Sequence, residues 1–396
     1  SATFTPTTTA ASTGTSAPAS ALTPELYAGT PGPSDPKILF MAAGGCAAMS
    51  VSLSGGGPQP LAAVPPADCG EAEISPDGTR LAYIGLPGKN TIRAAGIDGS
   101  GPPVEIRIPD YKGLPRTIWA VKWSPDGNRL ALVASGYADG DDGNPIIRDS
   151  WGYLYTMAAD GGGTLKRIQN TGIEPAFAQA ISWSADSRWI LTLDDKSPSN
   201  DLEVLPFAYR ESDSYSACVA NADWSMQTAI HYDWSPDSRY ISYLFPFKPP
   251  DPGLPADSPD EGEYLVIAEL KTSNAMGEWW LIPRRSLPLP GAEESRNSWS
   301  PDIGARWSPD GASFLLFNDR TMSLVILEKD GSIRNPVVTL AQRPLYADWS
   351  PDGKWIIMVE PGPAADSGGI LSVVRPDGAD LRALANGVGT GSIVWK

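Results

Sequence analysis

The stretch Trp123-Ser124-Pro125-Asp126-Gly127 lies between two short apolar runs, residues 120–123 before it and 130–134 after it. Proline at the second turn position has its φ fixed in advance and Asp-Gly completes a reversal, so the stretch predicts a tight hairpin. The phrase recurs as Trp307-Ser308-Pro309-Asp310-Gly311 and Trp349-Ser350-Pro351-Asp352-Gly353, with looser copies beginning at Ile74, Trp183 and Trp234. After the Trp123 copy come a run at residues 153–158, an Asp160-Gly161 turn and a run at residues 164–168, before residues 180–183 restart the pattern. Four strands per repeat predict one propeller blade, and copies in phase along the chain predict an all-β ring of such blades.

Six motif copies suggest six blades, but the chain ends change the count. Residues 37–43, 48–53 and 60–64 supply three strands before the first copy, while Ser392-Ile393-Val394-Trp395 supplies a first strand that stops where the turn would begin. Joined, they make a seventh four-stranded antiparallel blade that closes the ring and leaves no open edge. Seven blades are therefore expected, with six as the alternative. Residues 1–36 are expected to be a Ser/Thr/Pro-rich tail or stalk, and residues 37–396 a single propeller domain. Motif starts at 74, 123, 183, 234, 307, 349 and 395 lie 42 to 73 residues apart, so extra chain is stored at Tyr137 to Ser150, Phe245 to Glu263 and Pro283 to Asp302. The last contains a decoy, Trp299-Ser300-Pro301-Asp302. Irregular insertions between regular strands are where a repeat protein places its binding surface.

Composition supports this organisation and narrows the partners. Forty Gly and 39 Pro match frequent turns, and a net charge of -16 disfavours nucleic acid and anionic lipid. No apolar run is long enough for a transmembrane helix. The sequence starts at Ser1 without Met, and the tail carries its first charge at Glu25, which together suggest a processed, secreted or envelope-surface chain. Cys46 and Cys69 could close a short loop with a disulfide that contributes about 3 kcal/mol, or remain two buried thiols.

From residue 37 onward, the recurring Trp-Ser-Pro-Asp-Gly hairpin followed by Leu-Ala-Tyr-like strands and an Asp-Gly turn resembles the WD-like repeats of TolB-type β-propellers. The resemblance implies the propeller fold. It is shared by periplasmic adaptors, lids of serine peptidases and carbohydrate-active or sensor modules, so it implies no single activity. The chain departs from TolB in lacking a small α/β domain before the propeller and in counting to seven blades.

The search for chemistry yields few candidates. Neither a Gly-X-Ser-X-Gly elbow nor a second histidine accompanies His231, which leaves no material for a His-based triad or a zinc site. The repeated Asp77, Asp126, Asp186, Asp237, Asp310 and Asp352 occupy one turn position and are expected to hold the hairpin rather than to react. Asp139, Asp141, Asp142 and Asn144 form a hard oxygen cluster of the kind calcium accepts, although a plain solvated acidic loop is the simpler reading. Trp279 and Trp280 lie outside the motif, and one of them could stack on a sugar or a partner. The residue before each motif position, Glu73, Lys122, Ser182, Asp233, Arg306, Asp348 and Val394, is expected to face the central channel. Of these, Glu73, Lys122, Asp233, Arg306 and Asp348 are charged, and they either bind a ligand or pair with one another.

The expected function is thus a non-catalytic secreted or envelope module that binds or scaffolds a protein or glycan, with no certain cofactor. Two alternatives remain open: a carboxylate-based, calcium-dependent hydrolase or lyase acting on polysaccharide, and a structural subunit of a surface layer or filament.

Overall fold

Each copy of the motif closes the same turn in the computed structural model of the chain. The structure describes residues 25–44, 47–63, 69–139, 145–162, 165–173, 181–195, 204–212, 216–219, 230–247, 261–272, 279–289, 299, 303–334, 336–364 and 367–396. In all six copies the motif Ser hydroxyl donates to the Asp carboxylate two residues on, at 2.5 to 2.8 Å. The same hydroxyl accepts the backbone N–H five residues on, at 2.9 Å in every copy. Partial burial opposes ionisation of Asp77, Asp126, Asp237 and Asp352, but bonds from the motif Ser and from backbone N–H groups outweigh it and hold these carboxyls below the usual range.

The fifth motif position needs a left-handed backbone, which glycine supplies at Gly78, Gly127, Gly311 and Gly353 with φ of 66 to 68°. Ser187 and Ser238 adopt the same conformation, with φ of 60° and 59°. Their hydroxyls explain the exception, because they accept the N–H of Asp126 (3.1 Å) and of Asp186 (2.9 Å) from the turn of the preceding blade. Ser238→Ala keeps the backbone strain and removes the bond, so it is expected to lower stability by about 1–2 kcal/mol in urea unfolding. Ser238→Gly removes both and should lie closer to neutral.

Seven four-stranded antiparallel blades follow one another. The first contains Cys69–Ile74, Arg80–Gly85, Thr91–Gly96 and Val104–Arg107; the second Ile118–Trp123, Arg129–Asp139, Pro145–Ala158 and Lys166–Ile173. Ser182–Trp183, Trp189–Asp195, Val204–Arg210 and Ser216–Val219 make the third, and Ile230–Trp234, Tyr240–Phe247, Glu261–Thr272 and Trp279–Pro288 the fourth. Arg306–Trp307, Ser313–Asn318, Ser323–Glu328 and Val338–Thr339 form the fifth. The sixth has Tyr346–Trp349, Ile356–Pro361, Gly369–Val374 and the first half of Arg382–Trp395. The far end of that long strand is the innermost strand of the seventh blade, completed by Lys37–Ala42, Ala47–Ser52 and Gly55–Ala63.

Closure comes from pairing the two ends of the propeller: Ile38 lies opposite Trp395, Leu39 opposite Val394 and Phe40 opposite Ile393. Lys37 and Lys396 exchange both backbone hydrogen bonds at 2.8 Å. The core is correspondingly divided by seam. Seven clusters of buried side chains occur among the described residues, each drawn from two neighbouring blades. The cluster joining the seventh blade to the first contains Leu39, Met41, Ala48, Ile74, Leu81 and Tyr83.

Three features were not expected. Residues 382–384 and 392–395 are parts of one continuous strand instead of two. Ser216–Val219 of the third blade pairs in parallel with Trp279–Pro288 of the fourth, joining both into one eight-stranded sheet. Residues 25–36, within the segment read as tail, lie against the sixth and seventh blades: the Tyr27 N–H donates to the Ala383 carbonyl at 2.7 Å, its ring stacks on Arg382 at 4.6 Å, and the Pro36 carbonyl accepts the Leu53 N–H at 3.1 Å. Among the described residues no helix is long and apolar enough to cross a membrane.

Candidate functional site

Two places on this scaffold hold residues that the repeat does not share. The first is the channel. Innermost strands of successive blades lie side by side around it, and in the second to sixth blades alternation exposes the residue before the motif position while burying both its neighbours. Glu73, Lys122, Ser182, Asp233, Arg306, Asp348 and Val394 are all partly exposed, and Trp123, Trp183, Trp234, Trp307 and Trp349 next to them are buried.

The charged members divide into two groups. Lys122 Nζ donates directly to Glu73 Oε1 across the seam between the first and second blades, so these two satisfy each other. Ser182 separates them from Asp233, Arg306 and Asp348 on the next three blades. Asp233 Oδ1 accepts the Trp234 N–H at 2.9 Å, and its Oδ2 accepts the Trp307 N–H of the next blade at 3.4 Å. Asp348 accepts its own neighbour's N–H, from Trp349, at 2.7 Å and the Tyr346 hydroxyl at 3.0 Å. Arg306 faces both carboxylates. Burial works against its charge, and Asp233 and Asp348 outweigh that, so the guanidinium stays protonated.

Burial pushes the Asp233 carboxyl up to about 6, with Arg306 opposing and Asp348 adding to the shift. A carboxyl that is more basic folded than unfolded stabilises the fold fully below its unfolded value near 4, and that contribution is lost as pH rises through 6. The motif aspartates act in the opposite sense, losing their contribution as pH falls. Asp233→Asn isolates the first effect: between pH 4 and 7 its stability relative to the native chain should rise by up to about 3 kcal/mol, read as the difference between two sets of urea curves.

The second place is the face opposite the motif turns. In an up-and-down blade the turns from first to second and third to fourth strands share one end, while second-to-third loops and blade-to-blade crossings share the other. All three insertions therefore leave from one face. Much of the first is strand rather than loop. Arg129–Asp139 and Pro145–Ala158, of 11 and 14 residues, pair out to Asp139 opposite Pro145, against six-residue strands at the same places in the first blade. The fourth blade does likewise, with strands of 8 and 12 residues pairing out to Phe247 opposite Glu261. At 3.3 Å per residue the longer hairpin stands roughly 15 Å above its neighbours.

Several sequence expectations lie outside the described residues: Asp141, Asp142 and Asn144 of the calcium candidate, and Cys46 of the disulfide candidate. Asp139 ends a strand of the second blade, Cys69 begins the first blade, and His231 lies in an inner strand of the fourth. Trp279 and Trp280 begin the outer strand of the fourth blade.

Sequence reasoning missed Tyr346, which has no repeat equivalent, and an inter-blade device with a visible signal. Arg80 and Arg129 both stand six residues after the first motif position. Arg80 stacks on Trp123 at 4.6 Å and donates to the Gly127 carbonyl; Arg129 stacks on Trp183 at 5.3 Å and donates to the Ser187 carbonyl at 2.6 Å. Also unforeseen is a cavity of about 500 Å³ on the motif-turn face, lined by Arg334, Lys354, Arg375, Pro376 and Asp377. Glu328, Asp352 and Asp380 lie beside its three cations.

Comparison with known proteins agrees with this architecture. Residues 110–144 match the model of the WD domain, G-beta repeat. A component of eukaryotic translation initiation factor 3 from Emericella nidulans is 28% identical over 149 residues, covering 36% of this chain and 19% of that protein, so the match spans about a fifth of the relative. The periplasmic gluconolactonase PpgL of Pseudomonas aeruginosa superposes with a TM-score of 0.51 at 15% identity, over 91% of this chain and 99% of that one. The tricorn protease gives 0.52 at 11% identity, over 90% of this chain and 35% of that one. TolB of Acinetobacter baumannii gives 0.42 at 14% identity, over 94% of this chain and 67% of that one. At 15% and 11% identity the likenesses to PpgL and the tricorn protease support the β-propeller fold alone.

Proposed function

We propose that this propeller is a non-catalytic binding module that docks a protein partner on the face carrying the long hairpins of its second and fourth blades. One observation carries the proposal: two blades extend paired strands beyond the ring, both on the side away from the motif turns. Interlocked turns make the ring rigid, so the extended hairpins are presented without the ordering cost that free loops would incur on binding. The WD-type match is in keeping with a protein partner. A glycan remains the second class of ligand, and a secreted or cell-envelope setting fits the Ser/Thr/Pro-rich start of the chain and its acidic balance.

Replacing residues 137–147 and residues 246–261 with tight turns, separately and together, tests this. The variants should keep the unfolding midpoint of the parent ring within a few degrees and lose capture of the partner that the native chain retains from envelope extracts. A double variant that captures the same partner with unchanged affinity would remove this face from consideration.

A further inference from the structure

Four motif tryptophans hydrogen-bond across blade seams by one rule. The indole N–H of Trp123 donates to the backbone carbonyl of Glu73 (3.0 Å), that of Trp183 to Lys122 (3.4 Å), that of Trp234 to Ser182 (3.3 Å) and that of Trp349 to Arg306 (3.3 Å). In each case the acceptor is the channel residue of the preceding blade. By the same rule Trp307 should donate to the carbonyl of Asp233. Instead the Trp307 indole nitrogen is buried with no hydrogen-bond partner among the described residues, and so is Nε of the adjacent Arg306.

At the seam between the fourth and fifth blades a side chain takes over. The Asp233 carboxylate reaches across to the Trp307 backbone N–H at 3.4 Å while also accepting the Trp234 N–H. Arg306 of the fifth blade faces it, as do Asp348 and Tyr346 of the sixth. On its own blade Asp233 is paired with Ser242, whose hydroxyl is committed to the Ala305 carbonyl at 3.2 Å. Ser182 on the third blade is uncharged, and the remaining ring charges, Glu73 and Lys122, are engaged with each other.

We propose that the seam between the fourth and fifth blades is a pH-sensitive joint with two registers. With Asp233 ionised, its carboxylate holds the Trp307 amide and faces Arg306, as observed. With Asp233 protonated, that grip weakens and the seam settles into the register of its neighbours, the Trp307 indole N–H donating to the Asp233 backbone carbonyl. Two opposing effects of similar size make the joint bistable: the charge-assisted contacts of the carboxylate, and relief of a buried, unsatisfied indole donor. Because burial raises the carboxyl to about 6, the changeover falls between mildly acidic and neutral pH. The proposal concerns the ring itself and does not depend on which partner the opposite face binds.

The experiment is to follow the indole ¹H–¹⁵N signals of the full chain from pH 4.5 to 8, with the Trp307 signal assigned by its loss in Trp307→Phe. On acidification the Trp307 signal should move downfield with a midpoint near 6, and its solvent exchange should slow roughly tenfold relative to Trp123 in the same sample, the change that about 1.4 kcal/mol of hydrogen bonding gives. In Asp233→Asn the signal should be independent of pH. A Trp307 signal that does not titrate in the native chain overturns the proposal, whether or not the Asn variant folds. One that titrates unchanged in the Asn variant assigns the transition to another group and overturns it equally.

Discussion

Removing Ser392 to Lys396 is expected to abolish cooperative unfolding of the ring, although the deleted segment is five residues of 396. Those residues are the innermost strand of the seventh blade, and what they contact lies at the other end of the propeller. Without them Ile38, Leu39 and Phe40 lose their partners on one side, and the exchanged bonds between Lys37 and Lys396 disappear. The Ile74 N–H loses the Ser392 hydroxyl that accepts it at 2.7 Å, and Gly78 loses the Lys396 ammonium at 3.3 Å. Ile393 and Trp395 pack against the seam between the sixth and seventh blades, while Val394 packs against the seam between the seventh and first. At about 1 kcal/mol for each net hydrogen bond, and a fraction of the roughly 1.5–3 kcal/mol of full burial for each of these three partly buried apolar side chains, the loss reaches about 5 kcal/mol, which is comparable to the whole margin of a typical domain. Circular dichroism during heating should show a broad, early transition in place of a sharp one, and limited proteolysis should cut within residues 37–63. A truncated chain that unfolds as sharply and as late as its parent would mean that closure by the terminal strand does not hold the ring together.

That the closing strand could be located from sequence, whereas the channel arrangement could not, has a physical reason. Strand and turn propensities are local: Pro125, Asp126 and Gly127 specify a reversal wherever they stand, and Ser392-Ile393-Val394-Trp395 reads as a strand without knowledge of its partner. Period-two alternation likewise set Lys122 and Asp348 apart from the buried residues on either side of them. Which ring members would meet was not legible, because that depends on distances across seams. Lys122 reaches Glu73 directly, while Asp233 spends its carboxylate on two backbone amides. The serines in place of glycine at positions 187 and 238 were visible as departures from the motif, yet their reason is a bond to another blade that no local pattern encodes. Insertions fared in between. Their positions followed from spacing, but the continuation of the second blade's strands to Asp139 and Pro145 is a property of pairing between distant residues.

Exchange of motif tryptophans should separate packing from hydrogen bonding, and Trp123 and Trp307 are the informative pair. Trp123→Ala removes a buried indole that shares the cluster between the first and second blades with Ile84 and Ile92, stacks under Arg80 at 4.6 Å and donates to the Glu73 carbonyl at 3.0 Å. A cost of about 3–5 kcal/mol is expected in urea unfolding, since the rigid blades on either side cannot collapse into the cavity. Trp123→Phe retains most of the packing and loses the indole donor, so about 1–2 kcal/mol is expected. Trp307 has equivalent burial and its own ring contact, with Phe314 at a centroid separation of 4.3 Å, but its nitrogen has no acceptor among the described residues. Trp307→Phe should therefore cost less than about 0.5 kcal/mol at neutral pH, where there is no hydrogen bond to lose. If both Phe variants lose the same 1–2 kcal/mol, the Trp307 indole is bonded in solution as its counterparts are, and the fourth seam has the same register as the others. If only Trp123→Phe is costly, the rigidity of the ring is uneven. Indole-to-carbonyl bonds then fasten the seams on either side, and the carboxylate of Asp233 fastens the one between the fourth and fifth blades.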